Sequence, residues 1–161
     1  MNDRSPRELD RIDRSLLRLL QQDGSTPIAQ LAREVHLSAT PCAERVKRLE
    51  TAGYIRGYHA LLDPTKLDQG LLAYVQVELD RTTPDVFDRF KVAMLAAPEV
   101  MECQMVAGGF DYLLKIRVRD MNAFRRFLGD QVTTVRGVQQ THTYFVMEEV
   151  KATHAIIVSD R

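Results

Sequence analysis

The stretch SATPCAERVKRLETAGYI, residues 38–55, concentrates residue types that suit a polyanion. On a 3.6-residue period Cys42, Val46 and Leu49 form one stripe. Thr40, Glu44, Lys47 and Arg48 then point outward, with Arg45 on the flank. Ser38 and Thr40 stand at the helix start beside Pro41. Hydroxyls, backbone N–H groups and the positive dipole end suit phosphate there, while cations one or two turns later can reach base edges in a major groove. A solvated basic face, with Arg45 paired to Glu34 or Asp13, accounts for the charges alone equally well.

A second candidate is AGGFDYLL, residues 107–114. Gly108 and Gly109 suit a hairpin turn, because adjacent glycines tolerate positive φ. Asp111, just past the turn on the open face of a sheet, has the chemistry to accept an ammonium while bare glycine amides bind a carboxylate. Taken by position alone, turn formation ranks ahead of ligand binding.

Catalysis finds little support. His36, His59, His142 and His154 are scattered without a nucleophile at a telling spacing, and no GxSxG, P-loop or HExxH occurs. Glu148 and Glu149 are adjacent, so on a strand they face opposite sides and cannot act together on one substrate. Cys42 and Cys103 lie far apart without metal-spaced partners, which points to buried free thiols. The chain is expected not to be an enzyme and to need no metal or cofactor.

The elements that must position these residues follow from periodicity. Leu9, Ile12, Leu16, Leu19 and Leu20 mark a first helix ending before Gly24. Thr26 and Pro27, as N-cap and first helical residue, open a second helix with Ile28, Leu31, Ala32 and Val35 inward. The third runs from a Ser38 side-chain cap to Gly53. A tight turn between the last two reads as a helix-turn-helix. YIRGYHALLD is expected to form a small hairpin or wing, and DPTKLD, residues 63–68, is the turn-prone boundary between domains.

Beyond it the period changes to two. Strands at 71–79, 100–107, 111–118 and 138–150 alternate with helices at 85–95 and 121–128, giving the βαββαβ order of a ferredoxin-like fold. Leu72, Tyr74 and Leu113 are too apolar for a fully wet open sheet face, so dimerisation through that face is expected. The fold class is α+β. The domains are placed at 1–60, a hinge at 61–69, and 70–161.

With 161 residues and 22 Lys and Arg against 22 Asp and Glu, the chain is neutral overall. DNA binding therefore has to come from local clustering of cations rather than net charge. Arg4, Arg7, Arg11 and Arg14 around the first helix lend weak support, interrupted as they are by Glu8, Asp10 and Asp13. No apolar run approaches membrane-spanning length and no signal peptide is legible, so a cytoplasmic location is expected.

LDRIDRSLLRLLQQDG, LSATPCAERVKRLETAGYIRGYHALLDP, GGFDYLLKIRVRDM and TYFVMEEVK together resemble the leucine-responsive regulatory protein (Lrp/AsnC) family over nearly the whole chain. The resemblance implies a winged helix-turn-helix joined by a hinge to a ferredoxin-like ligand domain, often called RAM. It implies a cytoplasmic, nucleoid-associated regulator that binds double-stranded DNA as a homodimer assembling to a tetramer or octamer. An amino-acid effector, leucine, methionine or similar, would bind between dimers near the GGFDY turn. Ser38, Thr40, Pro41, Arg45, Lys47 and Arg48 would lie in or beside the recognition helix. Gly108, Gly109, Asp111, Met121, Tyr144 and Val146 fall on positions tied to effector response. Two departures are Gly109, where an Asp is common, and Ala39, where a Pro is common. The alternative from another class is an amino-acid-sensing module that docks a protein through its helical domain.

Overall fold

The computed structural model describes residues 9–160. Arg4 and Arg7 lie outside that range. The chain separates into two compact units, one running to Leu61 and taking in the segment from Lys151 onward, the other spanning Leu62–Val150. The C-terminal segment thus belongs with the helical unit, whereas the sequence reading assigned it to the second domain.

In the helical unit, α1 (Arg11–Gln22), α2 (Ile28–Glu34) and α3 (Ala39–Thr51) close over Leu16, Leu20, Leu31, Ala32, Cys42, Val46 and Leu49. Asp10 caps α1 through a reciprocal box with Asp13, each carboxylate accepting the other's backbone N–H. The expected cap of α2 is displaced by one residue. Pro27 occupies the cap position, and the Thr26 hydroxyl donates to Asp23 O at 2.8 Å instead. Ser38 does stand at the cap of α3, but its side chain makes no capping bond. The turn between α2 and α3 passes through His36 at φ 56°, and Gly53 at φ 78° ends α3 as expected.

The wing does not form. Residues 54–70 contain no strand, because no second run lies across from the first to complete a ladder. The Tyr58 ring packs over Gly24 instead, where a Cβ would come within 2.9 Å of its Cδ1, and its hydroxyl donates to Glu50 Oε1 at 2.9 Å. Burial, then the bond to Glu50 and that carboxylate's charge, push the phenol up to about 12. A raised folded pKa means the contribution is intact below the ordinary phenol value near 10 and is lost as pH climbs through about 12. Urea midpoints across that alkaline window should fall more steeply for the parent than for Tyr58→Phe. Parallel declines would remove Tyr58 as the cause.

The second unit carries β1 (Leu71–Leu79), α4 (Pro84–Ala96), β2 (Val100–Met105), β3 (Tyr112–Val118), α5 (Met121–Phe127) and β4 (Val138–Phe145). The sheet order is β2-β3-β1-β4, all antiparallel, as expected for the ferredoxin-like order. A π turn at Leu128–Val132 extends α5. Alternation decides the faces: Ala73, Val75, Val77 and Leu79 of β1 and Tyr112, Leu114, Ile116 and Val118 of β3 are buried with Phe90, Met94, Phe124 and Phe127 from the helices. The strand expected to reach residue 150 stops at Phe145, and Glu149 turns to pair with Arg117 at 3.3 Å. Cys42 is buried, but Cys103 is exposed on the edge strand β2, which has a neighbour on one side only.

Tyr112 is buried with Phe90 and Phe87 at centroid distances of 4.6 and 6.1 Å, yet its hydroxyl has no hydrogen-bond partner. An unmade buried bond costs more than the absent group, so Tyr112→Phe should stabilise the chain by about 1 kcal/mol. A thermal or urea midpoint below the parent's would contradict this.

Candidate functional site

Helix α3 is held by a charge cluster built on one buried carboxylate. Asp13 is the buried charged residue of the described core, 2% exposed, on the inner side of α1 one turn before Leu16. Its Oδ1 accepts from Arg45 Nη1 at 2.9 Å and Arg48 Nη2 at 2.7 Å, and its Oδ2 from Arg48 Nη2 at 2.7 Å. Arg45 also reaches Asp10 Oδ2 at 2.5 Å. Two aspartates of α1 therefore neutralise two arginines of α3. For Asp10, burial works upward but the Asp13 N–H and then Arg45 outweigh it, so its carboxyl stays below the ordinary value. The bond to Asp10, then Asp13, holds Arg45 above its own.

Arg45 and Arg48 both reach from α3 to the Asp13 carboxylate on α1, through Nη1 and Nη2 respectively, while their side chains keep 25% and 44% of their exposure. The alternative pairing of Arg45 with Asp13 is the one realised. The exposed residues of α3 include Ser38 and Thr40 at the N-terminus and Glu44, Lys47 and Arg48 along it, with Pro41 half-buried between. Among the described residues Lys47 has no ion-pair partner. A hydroxyl pair at the positive end of a helix, then a single cation two turns on, can seat a phosphate backbone against an inserted helix.

Arg14 is also engaged, donating to Leu9 O and Ser159 O at 3.2 and 2.8 Å. The signal for the cluster was present as paired acids at 10 and 13 and paired arginines at 45 and 48. Apolar periodicity passes over it, because an acid on the inward stripe counts against burial until its partners are known.

In the second unit the six expected effector residues fall into two groups. The Asp111 N–H donates to Val77 O at 3.0 Å, and its Oδ2 accepts the Leu79 N–H at 2.7 Å, so Gly108, Gly109 and Asp111 gather at the end of β1. Tyr144 pairs with Tyr74, and the Val146 N–H donates to Leu72 O, at the start of that strand. Met121 opens α5 one turn before Phe124, whose ring packs 5.0 Å from Phe145. Tyr74 and Val77, the nearest β1 partners of the two groups, are three positions apart, about 10 Å of strand.

The glycines hold a further correction. Neither Gly108 nor Gly109 has φ in the left-handed region, and a Cβ on either would meet nothing within 4 Å. The turn does not require glycine for backbone conformation or for room. Both glycines are exposed. Asp111, for its part, spends one carboxylate oxygen on tying the turn to β1.

Comparison with known proteins agrees with both units. Residues 9–50 match the AsnC-type helix-turn-helix domain, and residues 72–156 match the Lrp/AsnC ligand binding domain. The chain is 49% identical over 158 residues to the leucine-responsive regulatory protein of Escherichia coli, covering 98% of this chain and 96% of that one. It is similar to the solved structure of a transcriptional regulator of Neisseria meningitidis in complex with L-methionine, with TM-score 0.90, 37% identity, and 94% and 97% of the two chains covered. An AsnC family transcriptional regulator of Agrobacterium tumefaciens is similar at TM-score 0.88 and 33% identity, with 93% and 97% covered.

Proposed function

The chain belongs to the Lrp/AsnC family of transcriptional regulators, DNA-binding proteins with an amino-acid-binding domain, and from that premise we propose how its own residues perform the task. The outer surface of α3 enters the major groove, Ser38 and Thr40 fix its N-terminus on phosphate, and Lys47 supplies the unpaired cation. Arg45 and Arg48 act behind it by holding the helix at a fixed angle on α1. The observation that carries this reading is the division of the cations on α3 between two arginines ion-paired to the buried Asp13 and a lysine with no ion-pair partner among the described residues. Two such helices on a homodimer would meet successive grooves, and assembly to a tetramer or octamer would multiply the contacts.

The effector in this reading is an amino acid, leucine, methionine or similar; the Neisseria relative was solved with L-methionine. Exposed glycine amides that no backbone conformation or crowding demands suit a ligand carboxylate. An amino acid is shorter than the roughly 10 Å of strand between the two residue groups. We therefore assign direct contact to Gly108, Gly109 and Asp111, with Met121, Tyr144 and Val146 presented toward a neighbouring subunit. The effector shifts DNA binding only through its different affinity for two states of the assembly.

Fluorescence anisotropy of DNA from upstream of the protein's own gene, at two salt concentrations and with a panel of amino acids, tests the function. Salt-sensitive binding altered by one amino acid is the expected result. Absence of binding at low salt would shift weight to a module that docks a protein. Within the site, Asp111→Asn keeps an acceptor for the Leu79 N–H but loses the charge, so calorimetric affinity for the amino acid should fall at least about tenfold. Unchanged affinity would leave Asp111 as a brace for the turn.

A further inference from the structure

The C-terminal segment of the helical unit has no regular structure, yet α1 reads it closely. Gln21 donates its Nε2 to Ile156 O at 3.0 Å and accepts the Ile156 N–H at 3.1 Å, so one side-chain amide mimics a strand neighbour. Arg18 donates Nε and Nη2 to Val158 O at 3.1 and 2.8 Å and also pairs with Asp160; Arg14 donates to Ser159 O at 2.8 Å. The readers stand at i, i+4 and i+7, one stripe of the helix. Most of what they read is backbone rather than side chain, and Ile156 and Ile157 remain 75% and 96% exposed. These are largely solvent-exposed hydrogen bonds with little apolar burial behind them, the kind that opens at small cost.

The segment is attached at both ends to something of consequence. Upstream, Glu149 is paired with Arg117 on the sheet, and Val146 is bonded to β1 beside Tyr144. Val150 to Ala155, six residues, connect Glu149 to the first docked residue, so the segment is covalently close to the end of β4. Downstream, the helix that holds the segment also carries Asp10 and Asp13, the anchors of the recognition helix.

We infer that residues 156–160 are a detachable latch on the Arg14–Arg18–Gln21 stripe of α1, and that docking and release of this latch carry the effector state from β4 to the recognition helix. This rests on the function proposed above, since it needs an effector and a DNA readout. The stripe is a docking surface whose partner is the chain's own C-terminal segment in extended form. Asp160 adds a charge to that docking, its carboxyl held below the ordinary value by the hydrogen bond and charge of Arg18, with Arg14 and Arg11 beside it.

The test uses the full-length chain carrying Arg18→Ala and Gln21→Ala together. Amide exchange at Ile156 should speed up, DNA affinity without amino acid should stay within about twofold of the parent, and calorimetric amino-acid affinity should be unchanged. The effector-induced change in DNA Kd, about 5–150-fold in coupled proteins, should collapse to within about twofold. Ile156→Pro removes the N–H that Gln21 Oε1 accepts, lies outside the helical core, and should show the same unchanged basal DNA affinity and amino-acid affinity with the same collapse of the effector response. Retention of the parent's full response in both variants overturns the latch. A parent that responds to no amino acid overturns the latch together with the proposed function. The two failures are distinguishable, the first appearing only in the variants and the second already in the parent.

Discussion

Asp13→Ala lowers the stability of the helical unit by about 3 kcal/mol. Removing one partner of a buried ion pair costs about 3–5 kcal/mol, and the lower end applies because the Arg45 and Arg48 side chains keep 25% and 44% of their exposure and can partly return to water. A three-helix core of this size has few kcal/mol in reserve, so the loss is a large fraction of the total. Urea unfolding followed by helical circular dichroism should show an early transition in the variant, absent from the parent, while the sheet unit unfolds where it did before. Arg48→Ala should cost less, since Arg45 still satisfies Asp13 Oδ1. A loss under about 1 kcal/mol for Asp13→Ala would mean that water replaces the cluster at little cost, and the anchoring role of the arginines would fall with it.

Lys47→Ala weakens DNA binding across sequences by about 100-fold and reduces the slope of log K against log salt by about 2 units. Each recognition helix loses one charge-assisted contact, about tenfold in affinity, and each lost phosphate contact removes about 0.9 from the slope; a homodimer presents two helices. Salt titrations on a specific and a scrambled duplex check both numbers. Arg48→Ala provides the contrast, because its guanidinium is occupied by Asp13. Its salt slope should stay near the parent's while the folded fraction falls. Equal slopes for the parent and Lys47→Ala would place the exposed cation outside the interface.

Much of the architecture was legible without coordinates. Each expected helix appears, β1 has the expected bounds, and the sheet order follows from the βαββαβ succession. Local alternation and the right-handed crossover rule allow few other arrangements. The sequence also singled out α3 and the GGFDY turn, since both are contiguous stretches whose residue types are informative on their own. Errors cluster where a residue's role depends on a distant partner. A hairpin at 54–63 needed a second strand that the fold does not supply, and the last strand stops five residues early once Glu149 finds Arg117.

Which cations of α3 are ion-paired was likewise beyond sequence, because nothing in the spacing of Arg45, Lys47 and Arg48 says that Asp13 takes two of them and leaves the third. The docking of the C-terminal segment on α1 joins residues more than a hundred positions apart through backbone carbonyls, which every residue has and no composition reveals. Chain-local periodicity and residue chemistry therefore determined the elements and the two regions of interest, and the family followed from the resemblance of four stretches of the chain. Only tertiary structure decided which charges are buried, which are paired, and where residues 156–160 lie against α1, because desolvation and pairing are properties of neighbours in space.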